Sequence, residues 1–240
     1  MKLPEFSHVG EDKKKFVRGM FDEISTRYDF LNHLLSFGLD FVWRRSLVKS
    51  LPEVITGLIL DVASGTGAVG LRIVKSKPDA VVISLDYAFQ MTRINKTKAS
   101  ARGYRNIMVV QGDGENLPFQ EGRFAALTIA FGFRNIGHYQ VAINEFYRVL
   151  KPGGRLLLLE FSESRLWLFG KIYSWYFRKI LPAIAALFSK SSAYRYLPES
   201  VEYFLTRDKI IAMLSEANFE NIKIKNLTFG TVTLVTAEKL

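Results

Sequence analysis

The sequence predicts an α/β fold: a doubly wound, mostly parallel seven-stranded sheet with an antiparallel edge, N-terminal helices and a helical insert after strand five. Three observations carry this. Short, continuous apolar runs alternate with amphipathic segments between residues 57 and 161, as strands buried on both faces require. The first three runs end in turn-forming or acidic residues, Asp61, Asp86 and Gly112-Asp113. The chain then closes with two runs near enough to pair as a hairpin.

In order, Phe16, Met20, Ile24 and Tyr28 recur at helical spacing, and a second helix is predicted from about Leu39 to Leu51. Leu58-Ile59-Leu60 forms strand one, followed by a glycine-rich turn and a helix to about Ser76. Ala80–Leu85 is strand two, Phe89–Arg102 a polar helix and Ile107–Val110 strand three. Phe124–Phe131 makes strand four, Val141–Leu150 a helix and Arg155–Phe161 strand five. Lys151-Pro152-Gly153-Gly154 is the turn before that last strand, because neither proline nor paired glycine continues a helix. A helix capped by Thr206 and closing near Asn218 leads to the hairpin Asn221–Leu227 and Thr231–Ala237. One domain is expected over 1–240: a helical cap (1–52), a cofactor-binding core (57–161), a substrate-covering insert (162–205), and a C-terminal helix with hairpin (206–240).

Composition narrows the function. With 48% hydrophobic and 23% charged residues the chain is not a disordered one. The absence of cysteine excludes disulfides, thiolate metal sites and a cysteine nucleophile, and no metal site is predicted. The longest run free of charged residues, Asn226–Ala237, has twelve residues, against about 20 for a membrane-spanning helix. The N-terminus has no apolar core and so is not a secretory signal, which predicts a soluble, cytoplasmic protein. A net charge of +10 draws the surface toward polyanions, either nucleic acid or an anionic membrane face.

Ligands of such sheets bind beyond the carboxyl ends of the strands. There, Asp61 precedes Gly65-Thr66-Gly67-Ala68-Val69-Gly70, and Asp86 follows Gly67 by 19 residues. Glycines allow the backbone a tight turn and close approach, and a strand-end carboxylate can accept hydrogen bonds from a ribose diol. That physics serves nicotinamide cofactors and S-adenosylmethionine alike. The order Asp61…Gly65-x-Gly67, Asp86, Asp113 resembles the class I S-adenosylmethionine-dependent methyltransferases, whose fold is Rossmann-like.

Longer blocks sharpen the resemblance. Tyr28-Asp29-x-Leu31-Asn32 through Gly38, Trp43-Arg44-Arg45, Gly112–Phe119, Phe131-Gly132-Phe133-Arg134-Asn135, Glu145–Gly154, Leu159-Glu160-Phe161-Ser162 and Tyr194-x-Tyr196-Leu197 are similar to the ubiquinone/menaquinone biosynthesis C-methyltransferases. The resemblance implies S-adenosyl-L-methionine as cofactor, contacted by Thr66, Asp86, its neighbour Tyr87, and Asp113-Gly114. Asp61 is expected to act indirectly. It implies methylation of a polyprenyl quinol, a demethylmenaquinol or the benzoquinol precursor of ubiquinone. Arg134 and Asn135 would stabilise the developing phenolate. Tyr28, Asp29 and Asn32 belong to a lid. The base is left open among His33, His138, Asp29 and a water. The chain departs from the family pattern at His33, Asp40, Ala68, Gly114 and Ala130.

Residues 165–188 read as an aromatic, basic amphipathic helix, suited to an anionic membrane surface or to a roof over a greasy pocket. It implies a peripheral place on the inner membrane face. Monomer and homodimer both stay open. A nucleic-acid partner is not expected, because Phe131-Gly132-Phe133-Arg134-Asn135 stands where amino-methylating enzymes carry an Asn/Asp-Pro-Pro-aromatic motif. Methylation of another small lipophilic molecule is the alternative reading, and a nicotinamide dehydrogenase and a non-catalytic scaffold complete the set of rival functions.

Overall fold

The computed structural model describes residues 6–162 and 193–240; the predicted helix at 165–188 lies outside them. Three helices open the chain, α1 (Gly10–Ile24), α2 (Tyr28–Leu35) and α3 (Leu39–Lys49). The core follows as β1 (Leu58–Val62), α4 (Ala68–Ser76), β2 (Val81–Asp86), α5 (Phe89–Ala101), β3 (Ile107–Gln111), β4 (Phe124–Ala130), α6 (Tyr139–Val149) and β5 (Leu150–Phe161). Beyond residue 192 come α7 (Ala193–Glu202), α8 (Arg207–Glu216), β6 (Glu220–Leu227) and β7 (Val232–Glu238).

The seven strands form one sheet in the order β3-β2-β1-β4-β5-β7-β6. β1 through β5 pair in parallel, while β7 is antiparallel to both β5 and β6. Alternation along each strand builds two cores. Leu60, Val62, Leu127 and Ile129 face Phe146 and Val149 of α6, and Ile59, Val82, Ala126 and Leu157 face Trp43, Leu47 and Ile73. Strand order reverses between β1 and β4, which fixes the switch point where a ligand crevice opens.

Three details differ from the sequence reading. Phe16 to Tyr28 is not one helix: Ser25 Oγ donates to Asp22 O at 3.0 Å, α1 stops at Ile24, and Tyr28 begins α2. Such side-chain bonding to the preceding turn competes with helix continuation. The Lys-Pro-Gly-Gly turn is a bulge inside β5, where Phe124 pairs with Leu150 but Ala126 pairs with Arg155. β3 is an edge strand with Met108 exposed, so only one of its flanks is covered. The Thr206 cap is present, its hydroxyl accepting from the Lys209 amide at 3.4 Å.

Candidate active site

The chain leaves β1 through Ala63, Gly65 and Gly67, all with positive φ (49°, 54° and 86°). A Cβ on Gly67 would lie 2.2 Å from Asn95 Oδ1, so α4 can start there only from glycine. The turn places the Gly65 amide 2.7 Å from Asp86 Oδ2, while the Ala88 amide donates to Oδ1 at 2.9 Å. Burial pushes the Asp86 carboxyl up to about 6, against the amides that favour its charge.

Asp61 sits beneath this loop, not in the crevice. It accepts from Gly70 N at 3.1 Å and from the Thr128 hydroxyl at 2.7 Å, and burial pushes it up to about 7. Its part is to hold the glycine turn against β4. Thr66, expected at the cofactor, is buried as well, and its hydroxyl donates to Asp29 Oδ1 at 2.5 Å. The other Asp29 oxygen is paired with Lys98. Asp29 therefore joins α2, the loop and α5; it does not line the crevice and is no candidate base.

The crevice, counted out to its open mouth, holds about 740 Å³. Gly65, Asp86, Tyr87 and Met91 form one wall, and Gly112, Asp113, Gly114 and Glu115 continue it along β3. Ala130, at the end of β4, and Phe131, Gly132, Asn135 and Ile136 beyond it form the opposite wall, and Tyr28 lines the crevice beside Gly65. Phe131 has φ of 58°, and a Cβ on Gly132 would meet Ala63 Cβ at 2.4 Å. The two central strands thus end in tightly apposed, left-handed turns, a strained arrangement of the kind that collects at functional sites.

Helix α1 roofs the crevice with Lys14, Val17, Arg18 and Phe21. Lys14 Nζ lies 2.6 Å from Asp113 Oδ2, 3.0 Å from Glu11 and 3.5 Å from Glu115. Burial disfavours its charge, but Asp113 and Glu11 outweigh this and hold it above the usual lysine range. The Arg18 guanidinium and Lys14 ammonium stand 5.2 Å and 5.9 Å from the Tyr87 ring centroid. Lys13, one residue away, is only 1% exposed and donates to His8 O, Ile136 O and Tyr139 Oη, each at 2.8 Å. Burial brings its pKa down to about 7.

Behind the β4 wall the sequence expectation needs its largest correction. Arg134 is buried, not open to a substrate oxygen. Its Nη1 donates to Glu160 Oε1 at 2.8 Å and to Phe131 O at 2.6 Å. Desolvation opposes its charge, but Glu160, Tyr28 and Tyr196 raise its pKa above the ordinary value. Asn135 does line the crevice, and its Oδ1 accepts from the Tyr196 hydroxyl at 3.1 Å. His33 falls away from the site, 2.8 Å from Asp40 and stacked on Phe41. His138 is exposed beside Glu115. No histidine lines the crevice among the described residues.

Several partners escaped the sequence reading. Lys13, Lys14 and Arg18 stood in a basic run that looked like solvated charge. Glu160 and Tyr196 stood in blocks noted only for their resemblance. Nothing local marks a charged residue for burial; Glu160 at a strand tip opposite an arginine was the one usable signal.

The sequence matches the ubiE/COQ5 methyltransferase family over residues 7–239. The chain belongs to this family. This methyltransferase is 44% identical over 230 residues to the ubiquinone/menaquinone biosynthesis C-methyltransferase UbiE of Geotalea daltonii, covering 95% of this chain and 98% of that one. It is also 44% identical over 221 residues to the demethylmenaquinone methyltransferase of Thermus thermophilus, covering 92% and 100%. Among solved structures it resembles an S-adenosylmethionine-dependent methyltransferase from Thermotoga maritima, with a TM-score of 0.67, 18% identity, and 93% and 100% of the two chains covered. That likeness shows the shared fold.

Proposed function

We propose that this methyltransferase carries the methyl group of S-adenosyl-L-methionine to a ring carbon of a polyprenylated quinol. Demethylmenaquinol is the first substrate reading and the benzoquinol precursor of ubiquinone the alternative. The observation that carries the proposal is a crevice with two unlike walls. One carries Asp86 and Asp113; the other carries Ala130, Phe131 and Ile136 with Asn135, and Tyr28 is among the lining residues. The relatives at 44% identity, named for quinone biosynthesis, support the substrate class.

The donor set fits an adenosyl compound. Asp86, aimed by two backbone amides, would accept from the ribose diol, Asp113-Gly114 would read the adenine edge, and Gly65 admits close approach. Bound there, S-adenosylmethionine supplies an electrophilic methyl group. The chain must then make the acceptor carbon nucleophilic. Tyr28 and Asn135 would donate to the quinol oxygen as its hydroxyl proton passes to water and it gains negative charge. Arg134 acts from the second layer: Glu160 balances its charge, so it fixes the Phe131 carbonyl and the loop bearing Asn135. Water takes the ring proton after methyl transfer, as no histidine lines the crevice among the described residues. Roofing by α1 excludes bulk solvent from the reacting atoms.

A cytoplasmic protein meeting an anionic membrane surface completes the reading, because the polyprenyl tail resides there. Among the described residues no helix is long and apolar enough to cross a membrane. The test is incubation with labelled donor and reduced demethylmenaquinone or benzoquinol analogues, followed by mass spectrometry. Donor binding without ring methylation of either would overturn the substrate reading. Tyr28→Phe should lower kcat about 10–100-fold while the donor Kd stays unchanged.

A further inference from the structure

Tyr196 of α7 carries a buried hydroxyl that packing alone does not call for. The residue is 2% exposed and joins Val17 and Met20 of α1 in an apolar cluster, its ring 5.4 Å from that of Phe16 and 5.8 Å from that of Phe6. A phenylalanine would fill that space equally well. The hydroxyl reaches across 61 residues of sequence and donates to Asn135 Oδ1 at 3.1 Å. Burial pushes the phenol up to about 12, so it keeps its proton and remains a donor.

Asn135 lines the crevice and is half-buried. Its backbone is already fixed: the amide donates to Gly132 O at 3.0 Å, and the next carbonyl, of Ile136, accepts from Lys13. What stays free is the turn of the side-chain amide, whose oxygen and NH2 ends have nearly the same shape and opposite polarity. Nδ2 lies 3.4 Å from Phe131 O. That contact is a weak hold, because Arg134 Nη1 takes the same carbonyl at 2.6 Å. Tyr196 supplies the stronger one. Turned over, the amide would set its oxygen against the Phe131 carbonyl and leave a buried phenol proton without an acceptor, which is costly.

We propose that Tyr196 is a positioning residue: it holds the Asn135 oxygen away from the crevice and so offers an Nδ2 hydrogen to it. A developing quinol oxyanion then meets a donor, where a reversed amide would present a lone pair. The role in turnover rests on the quinol reading; the hold on the amide does not. Tyr196→Phe, which keeps the ring, should lower kcat for ring methylation about 5–10-fold while the donor Kd stays at the wild-type value. In an Asn135→Ala background the same substitution should change kcat by less than about twofold, since the group it acts through is gone. A purely structural tyrosine would lower kcat equally in both backgrounds. That result, or an unchanged kcat in the single variant, would overturn the proposal. The amide is also read directly, in nitrogen–proton correlation spectra of the ligand-free protein, with the Asn135 side-chain signals identified by their absence from Asn135→Asp. They should shift and exchange faster with water in Tyr196→Phe. Unmoved signals would overturn the assignment with no quinol present. Moved signals in a protein that methylates neither quinol would support the hold of Tyr196 on the amide and remove the substrate reading alone.

Discussion

Replacing Arg134 with alanine tests whether this arginine supports the site from behind or reaches into it. Arg134 is 6% exposed, and its guanidinium is bonded to Glu160 and the Phe131 carbonyl. Truncation leaves Glu160, 1% exposed, as a buried carboxylate without its counter-ion. Removing one partner of such a pair costs about 3–5 kcal/mol. For a chain of this length each kcal/mol moves Tm by about 2–4 °C, so Arg134→Ala should melt about 6–20 °C lower. Glu160→Gln in the same background removes the stranded charge and should recover much of that loss, a coupling visible in a double-mutant cycle. Differential scanning calorimetry of the four proteins is the assay. An Arg134→Ala protein melting within a degree or two of wild type, yet inactive, would refute the second-layer role and return the guanidinium to the substrate.

Three further predictions concern the glycine turn and its carboxylates. If ionised Asp86 receives the ribose hydroxyls, donor affinity should weaken as pH falls through about 6, by up to about tenfold per pH unit; calorimetric titration at pH 5 and 8 checks this, and Asp86→Asn should abolish the dependence. Asp61 holds protons in the folded state up to about 7, well above the ordinary carboxylate value, so it makes the protein lose stability as pH rises through that window. In Asp61→Asn the new amide could still bond Gly70 and Thr128, so the melting advantage of this variant over wild type should be larger at pH 8 than at pH 5. Gly67→Ala should lose about 1–2 kcal/mol from its left-handed backbone alone and more from the clash with Asn95, part of which Asn95→Ala should return in denaturant unfolding.

The sheet was legible because apolar runs buried on both sides leave an unbroken pattern, and the ends of β1, β2 and β3 carried their carboxylates visibly. The helix break at Ser25 was not, since Phe16, Met20, Ile24 and Tyr28 keep their spacing across it. Within the site, Gly65, Asp86, Tyr87, Asp113, Gly114, Tyr28 and Asn135 line the crevice. Asp61, expected to act indirectly, lies beneath the loop. Thr66, Asp29, Arg134 and His33 do not line the crevice: each is a polar residue already held by a partner, Asp29 itself, Lys98, Glu160 and the turn-spanning Asp40. Motif position says which strand tip a side chain occupies. It is silent on whether a long-range neighbour has already claimed it.

Lys13 ties the roof helix to Ile136, directly after Asn135, and the Gly10 amide donates to Gly137 O at 3.0 Å beside it. On the proposed reading, the cover over the nucleoside and the loop facing the aromatic acceptor would move together, so that spent donor and methylated ring would leave in a single unlatching. Saturated cycling would then keep time with the undocking of α1, and a first round of methyl transfer would outpace every round after it.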